Sequence, residues 1–294
     1  MRIRLLGTGT PTPSLRRVCS SHLVEIGDSV MLFDHGFGAH QRLLEAGVPA
    51  TRVTHMFFTH LHYDHCGDYA RLVLQRWDQG AGHVPELKVY GPPPLAEMTD
   101  RLFGSKGAFD YDLIARTSHD ASLGIYEARG GKLPRLRPVP QVRELHDGDV
   151  VSEGTWRLKT GVVSHFQPYL NSYGFRLETP EGVFVYSGDS GPVDSMYGLA
   201  RDCDVLLHMC HYISGTSLND GFAGSCMGHM ELAALAQETR ARNLVLTHIT
   251  EQFDKPGMRE RVIAEMSTVY KGNLFFGEDL MEIPIETPHL DKLL

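Results

Sequence analysis

Four side chains of metal-binding types lie within six residues at the end of an apolar segment. The segment reads THLHYDH and contains His60, His62, Asp64 and His65. Because side chains two residues apart in an extended chain point the same way, His60 and His62 face one side. Crowding polar groups at the end of a buried strand is unfavourable unless something binds them. Imidazoles with a carboxylate suit zinc, manganese or iron, so this spacing predicts a metal site in preference to a set of structural histidines.

Three more polar residues follow apolar segments later in the chain. His165 ends LKTGVVSH, Asp189 follows FVYSG, and His248 ends NLVLTH. Each stands at the end of a predicted buried strand, so all three are expected at the sheet edge that carries His60. Any one of them alone is equally well explained as a structural residue. Together they predict the remainder of the metal site.

Short apolar segments separated by Gly, Pro and Asp predict the elements that position these groups. RIRLL, SHLVEI and VMLFD are typical of strands joined by tight turns, and VTHMFFTH predicts the buried strand before the cluster. DYARLVLQRWDQG predicts a helix, and strands and helices alternate after it. The second half repeats this order, which predicts two packed sheets with helices outside, in one domain over residues 1–294. The weakly periodic segment at about 105–134 is predicted to be an insertion that forms a lid, a substrate wall or a dimer contact.

The amino-acid composition indicates the general class of protein and its expected partners. With 294 residues, 42% of them hydrophobic and 22% charged, the chain predicts a globular fold. The formal net charge is −8 and the basic residues are scattered, so we expect nucleic acid to be an unlikely partner. Five cysteines without CxxC spacing indicate reduced thiols. With no signal-peptide pattern and no long apolar run, we expect a cytoplasmic protein without a membrane partner.

The order of these motifs resembles the metallo-β-lactamase superfamily over essentially the whole chain. HxHxDH, a later His, an Asp within SGD and a last His within LTH follow one another as in that family. The resemblance implies a fold of the α/β class, an αββα sandwich of two mixed β-sheets with helices on the outer faces. It also implies a metal-dependent hydrolase with a dinuclear site in the cleft between the sheets.

Carried over by position, the resemblance implies two divalent cations and seven ligands. Zinc is the expected metal, with manganese or iron as alternatives. His60, His62 and His165 would hold one ion, and Asp189 would bridge both. The ligands of the second ion would be Asp64, His65 and His248.

Further motifs resemble the ribonuclease Z branch of the superfamily, which includes arylsulfatase-like members and tends toward homodimers. These motifs are LLGTGTPTP, YGF, VYSGDS and the pair GHM and NLVLTHI. In that branch a His at the position of His229 assists at the scissile bond, supported by a Glu in a His-Glu-Ala-Thr loop. This chain has Met209 at the position of that Glu, and it contains no long Gly-rich basic arm of the kind that the branch uses to hold tRNA.

A mechanism follows from the expected ions. Two dications about 4 Å apart lower the pKa of a bridging water toward neutrality, and the resulting hydroxide attacks the substrate. Asp64 and Asp189 are predicted to orient this nucleophile, and His229 is predicted to act as general acid. The acidic charge and the substitution at Met209 favour a small-molecule ester as substrate, either a phosphodiester or a sulfate ester. The alternatives are a lactone or amide hydrolase, a tRNA 3′-processing-type endonuclease, and an iron-dependent oxidoreductase.

The substrate pocket is predicted from polar and aromatic residues near the ligands. Asp34 and His35 are expected either beneath the cluster, where they would orient ligands, or in an ordinary turn. Aromatic residues near a site suggest a small, partly apolar substrate. The predicted pocket residues are Phe166, Tyr173, His208, His211, Tyr212 and Phe222.

Overall fold

Two seven-stranded β-sheets form the centre of the computed structural model, which describes residues 1–285. In the first sheet the amino-terminal three strands pair antiparallel, as strands joined by tight turns do, and the next three join in parallel. In spatial order its strands are β14 (Glu282–Ile283), β1 (Arg2–Gly7), β2 (Ser21–Ile26), β3 (Ser29–His35), β4 (His55–Phe57), β5 (Lys88–Gly91) and β6 (Gln141–Glu144).

The second sheet is also mixed. Its first four strands in the chain pair antiparallel, and the remaining three add in parallel. In spatial order they are β13 (Asn273–Phe276), β12 (Asn243–Thr247), β11 (Val205–Met209), β10 (Gly182–Tyr186), β9 (Tyr173–Thr179), β8 (Trp156–Val162) and β7 (Val150–Glu153). The last strand within the described residues, β14, returns to the first sheet beside β1, so both halves contribute to that sheet.

Ten α-helices and two short 3₁₀ turns connect the strands of the described chain. The 3₁₀ turns are Ala50–Arg52 and Glu251–Asp254. The helices are α1 (Ala39–Glu45), α2 (Tyr63–Cys66), α3 (Tyr69–Gly80), α4 (Leu95–Phe103), α5 (Asp110–Ser118), α6 (Asp120–Ala128), α7 (Asp194–Ala200), α8 (Asp220–Ser225), α9 (His229–Glu238) and α10 (Met258–Val269).

Alternation along the strands builds three apolar layers. In β3 the side chain of Phe33 lies between the sheets, whereas its neighbour Leu32 packs against the helices on the first sheet. In β11 Leu207 lies between the sheets, and Leu206 packs with the helices on the second. Successive side chains of a strand point to opposite faces, so apolar runs with both faces covered produce this pattern. The predicted αββα sandwich is confirmed.

The polar groups of the predicted site follow strand ends at one edge of the sandwich. Asp34 lies near the end of β3, and His60, Asp189 and His248 follow β4, β10 and β12. Asp34 and His248 adopt φ values of 55° and 52°, in the left-handed region that non-glycine residues rarely occupy. Residues in strained backbone conformations cluster at functional sites, which agrees with the position of both residues.

The segment predicted as an insertion contains α5 and α6 and is fastened to α3 through one carboxylate. Asp78 of α3 accepts hydrogen bonds from Arg135 at 2.8 Å, Arg129 at 2.9 Å and Arg116 at 3.2 Å. The single domain over residues 1–294 stays a prediction, and its last nine positions lie outside the described residues. Across residues 1–285 no helix is long and apolar enough to cross a membrane.

Candidate metal centre

Four of the predicted ligands form a first cluster in the cleft. The possible ligand atoms of His60, His62, His165 and Asp189 all lie within 4.8 Å of one another. His62 Nδ1 is 3.1 Å from His60 Nε2 and 3.3 Å from His165 Nε2. Three ring nitrogens converging at this distance form a natural site for a cation.

The other three predicted ligands form a second cluster beside the first. Asp64 Oδ2 is 3.2 Å from His248 Nε2 and 3.5 Å from His65 Nε2. Asp189 lies between the clusters, because its Oδ2 is 3.3 Å from His248 Nε2 and 3.5 Å from His165 Nε2. The structure therefore brings all seven predicted ligands together. Their individual roles stay predictions.

Asp34 is the hydrogen-bonding centre beneath both clusters. Its buried carboxylate accepts from the Thr59 amide, the Thr59 hydroxyl, the Tyr186 hydroxyl and His65 Nδ1, each at 2.8 Å. The bond from His65 Nδ1 fixes the orientation of the ring, so that Nε2 faces the cluster. Although burial lowers it, the Asp189 and Asp34 carboxylates hold the pKa of His65 well above its usual range, so a metal at Nε2 would displace a proton. His60 Nδ1 lies 3.0 Å from the Thr59 hydroxyl, so Asp34 orients this second imidazole through Thr59.

Two other histidines of the clusters, His165 and His248, are oriented in the same way from outside. His165 Nδ1 is 2.9 Å from the Ser225 carbonyl, to which it donates. His248 Nδ1 is 3.1 Å from His211 Nδ1, and His248 Nε2 points toward Asp64. With Nδ1 engaged outside, each ring presents Nε2 inward, which is how outer groups commonly fix metal-ligating histidines.

Buried atoms without partners show that the donor set fits a divalent metal. His65 Nε2 and Asp189 Oδ1 are buried and lie 3.4 Å apart, and neither makes a well-directed hydrogen bond among the described residues. Although burial raises it, His248 and His65 hold the pKa of the Asp189 carboxyl well below its usual range. Burial lowers the pKa of His60 well below its usual range. An ionised carboxylate and neutral imidazoles are the forms that bind metals, so divalent metal binding follows.

A pocket of about 260 Å³ opens onto both clusters. Three of the six predicted pocket residues line it: Phe166, His211 and Phe222. Phe166 is half exposed, and its ring centroid is 5.5 Å from that of His62. None of residues 105–134 lines this pocket, so the insertion forms neither a lid nor a wall over it in this structure.

The structure does not bring the other three predicted pocket residues to the opening. Tyr173 packs between the sheets, because it points inward from the start of β9. His208 is fully buried within β11, and Tyr212 belongs to the core beneath the helices of the second sheet. The lining residues that sequence reasoning missed are Pro11, Tyr63 and Cys226. Two of them had a sequence signal, since Pro11 lies in GTGTPTP and Tyr63 in HLHYDH.

His229 is fully buried outside this pocket. Its Nδ1 accepts a hydrogen bond from the Ser214 amide at 3.0 Å, and its Nε2 lies 2.7 Å from Glu265 Oε2. Met209 fills the position expected for a supporting carboxylate, and its sulfur accepts from the Ser190 amide at 2.9 Å. Glu265 lies 36 residues beyond His229, in α10, which is why sequence spacing gave no sign of it. The role of His229 as general acid stays a prediction, and the contacts of its ring are structural.

Comparisons with known proteins agree with this geometry. A sequence profile described as the metallo-beta-lactamase superfamily matches residues 15–248. The Ribonuclease Z of Mycolicibacterium gilvum (strain PYR-GCK) is 28% identical over 295 residues, covering 97% of this chain and 96% of the relative. The metallo-beta-lactamase fold protein YhfI from Bacillus subtilis superposes with a TM-score of 0.73 at 19% identity, covering 96% of this chain and 98% of that one. The short form of human tRNase Z superposes with a TM-score of 0.67 at 21% identity, covering 98% and 100%.

The similarity to Ribonuclease Z contradicts two predictions. A small-molecule ester is wrong as the main substrate, and the expectation that nucleic acid is an unlikely partner is also wrong. Both rested in part on the total charge of the chain, which includes carboxylates that bound cations would neutralise. The substrate prediction rested also on Met209, and the partner prediction on the scattered basic residues. The tRNA 3′-processing alternative agrees better with these relatives. They give no support to the lactone, amide or oxidoreductase alternatives.

Proposed function

The chain belongs to the metallo-β-lactamase superfamily and is a metal-dependent hydrolase, and from this premise we propose that it is a ribonuclease of the tRNA 3′-processing type. The observation that carries the proposal is the similarity to Ribonuclease Z over 97% of this chain and 96% of the relative. The seven clustered donors support it, because they form two adjacent sites suited to phosphodiester hydrolysis.

We further propose that the centre holds two cations and that both are zinc. The first site would use His60, His62 and His165, and the second Asp64, His65 and His248, with Asp189 shared. Nitrogen and oxygen donors in groups of three or four suit zinc. When bound, two such cations supply Lewis-acid chemistry, ionising water near neutral pH and stabilising charge on phosphoryl oxygens.

The chain's own residues hold this centre and shape the approach to it. Asp34 fixes His65 directly and His60 through Thr59, so both imidazoles stay oriented without a cost during turnover. Asp64 and Asp189 are proposed to orient the attacking water, since both carboxylates line the pocket.

Aromatic side chains at the pocket suit unpaired nucleotides. Tyr63 is 55% exposed and Phe166 is 50% exposed, and both line the pocket together with Phe222. RNA-binding proteins recognise single-stranded ends by stacking bases on exposed aromatic rings. We therefore assign the stacking of the nucleotides beside the scissile bond to Phe166 and Tyr63. A cytoplasmic location belongs to the same proposal and is supported by five free cysteines.

The test is cleavage of a precursor tRNA with a 3′ trailer by the zinc-loaded protein. We expect one cut that removes the trailer, and a loss of at least about a thousandfold in rate in His62→Ala and Asp189→Ala. The exposed His146 provides a matched control, and His146→Ala should cleave as the wild type does. If the zinc-loaded wild type leaves the precursor intact, or if both ligand variants retain full activity, the proposal is wrong.

A further inference from the structure

A second cavity lies at the end of α3 remote from the metal centre. It has a volume of about 420 Å³ and lies between the end of α3, the following loop, α6 and the segment that leads to β6. The start of α3 follows His65, whereas Arg76, Trp77 and Gly80 near its end line the cavity. A helix of 12 residues spans about 18 Å, so this cavity and the metal pocket are separate sites.

Arg76 places a buried positive charge in the wall of this cavity. The residue is 6% exposed, its Nε donates to the Val53 carbonyl at 2.8 Å, and its Nη1 donates to the Pro85 carbonyl. Within residues 1–285 no carboxylate forms an ion pair with its guanidinium; burial lowers its pKa, and the nearby Glu86 carboxylate opposes this shift only in part. A buried charge without an ion-paired partner is unfavourable, so the site favours the arrival of an anion.

The charged side chains around the cavity also favour an anion. Lys132 and Arg137 line it in addition to Arg76, whereas Glu86 is its one acidic lining residue within the described chain. Arg137 is paired with Asp110 at 2.7 Å, so counting this partner still leaves one positive charge in excess. This local excess of positive charge contrasts with the formal net charge of −8 for the whole chain. Basic side chains are therefore concentrated at this cavity.

Part of the wall is apolar and aromatic. Trp77, Tyr126 and Leu136 line the cavity, and Trp77 donates from Nε1 to the Leu136 carbonyl at 2.8 Å, which fixes its ring. Concave sites that place aromatic side chains beside a few fixed polar groups are typical of small-molecule binding. The combination suits a ligand with a charged end and a flat apolar body.

We propose that this cavity binds a small organic anion, with its carboxylate or phosphate group on Arg76 and its apolar part against Trp77 and Tyr126. Nε and Nη1 of Arg76 already donate to backbone carbonyls, so within the described chain its Nη2 is the nitrogen that remains to donate to the anionic group. The site is independent of the ribonuclease reaction, and neither proposal depends on the other.

Fluorescence of Trp77 provides a direct test, because the chain has only two tryptophans and Trp156 is buried between the sheets, where it gives a constant background. The zinc-loaded protein is titrated with benzoate, phenyl phosphate and uncharged benzyl alcohol. We expect saturable changes with at least one of the two anions, and binding of benzyl alcohol weaker by about tenfold or more. A preference for benzoate assigns a carboxylate ligand, and a preference for phenyl phosphate assigns a phosphate ligand.

Two matched pairs of variants locate the binding. Leu136 is 73% exposed at the cavity, so Leu136→Glu adds a repelling charge without disturbing the core, and Leu136→Gln is its neutral control. Arg76→Met removes the proposed anion contact, and Arg71→Met removes an exposed arginine of the same helix. We expect Leu136→Glu and Arg76→Met to weaken anion binding about tenfold, and both controls to match the wild type.

Three results would overturn the proposal: no saturable binding of either anion, equal binding of benzyl alcohol, or equal affinities in Leu136→Glu and Leu136→Gln. The Leu136 pair keeps the test decisive if Arg76→Met does not fold. Cleavage of precursor tRNA by Leu136→Glu should remain as in the wild type.

Discussion

His65 Nδ1 donates to Asp34 Oδ2 at 2.8 Å, and both side chains are fully buried. The same oxygen accepts from the Thr59 and Tyr186 hydroxyls, so one carboxylate links the end of β3 with the residues after β4 and with β10 of the other sheet. Asp34 thus joins the packing of the two sheets to the orientation of the metal-binding histidines. A substitution at Asp34 should therefore weaken metal binding more than it changes the shape of the pocket.

Asp34→Asn should weaken metal binding. The amide cannot accept all of the hydrogen bonds that the carboxylate accepts, so His65 loses its fixed orientation. Loss of such an outer group costs about 10–100-fold in metal affinity. Competition with a chelator measures the affinity directly. Asp28→Asn, at an exposed position between β2 and β3, is the control and should bind metal as the wild type does. Unchanged affinity in Asp34→Asn would contradict this role.

His229→Ala should chiefly destabilise the fold. The substitution leaves the Ser214 amide without its acceptor and empties a buried site, which costs about 1–3 kcal/mol of unfolding free energy. Denaturation curves measure this loss, and the rate of precursor cleavage should fall less than tenfold. If His229 also protonates the leaving group, the rate measured on the folded variant falls by about 10²–10⁴ in addition to this loss of stability. Exposed His146→Ala serves again as the control.

His22 should make the protein less stable in acid. Burial lowers the pKa of His22 from 6.5 to about 3, so the folded protein leaves it neutral where the unfolded chain protonates it. The stabilisation is complete above pH 6.5 and is lost as the pH falls toward 3, by at most about 1.4 kcal/mol per pH unit.

His22→Leu tests this contribution, because it removes a buried ring whose two nitrogens have no partner within the described chain. Urea denaturation at several pH values between about 7 and about 5 should give a shallower dependence for the variant than for the wild type. The same slope in both proteins would show that His22 takes up no additional proton on unfolding.

Asp78→Ala should release the insertion without affecting catalysis. Arg135, whose side chain is 3% exposed, would lose the carboxylate that pairs with it, and breaking a buried pair costs about 3 kcal/mol. Asp112→Ala, which removes an exposed partner of Arg116, should change stability little. Precursor cleavage should persist in Asp78→Ala, since residues 105–134 do not line the metal pocket. A large loss of activity with an intact fold would show that the insertion contributes to RNA cleavage.

Much of the fold and of the candidate site follows from local features of the sequence. HxHxDH places four donors within a few residues, and short apolar segments define strands whose ends carry His165, Asp189 and His248. Side-chain alternation and the direction of strands depend on neighbouring residues, so these features are visible in the sequence. The seven donors meet because parallel strand ends share one edge of each sheet.

Only the tertiary structure decided which distant side chains meet those donors. Glu265 reaches His229 from another helix, Tyr186 reaches Asp34 across the two sheets, and Arg76 faces a cavity that the insertion helps to enclose. Such contacts depend on helix packing and side-chain rotamers, which no local periodicity encodes. The total charge of the sequence misled the substrate prediction for the same physical reason, because recognition depends on where charges lie in the folded protein.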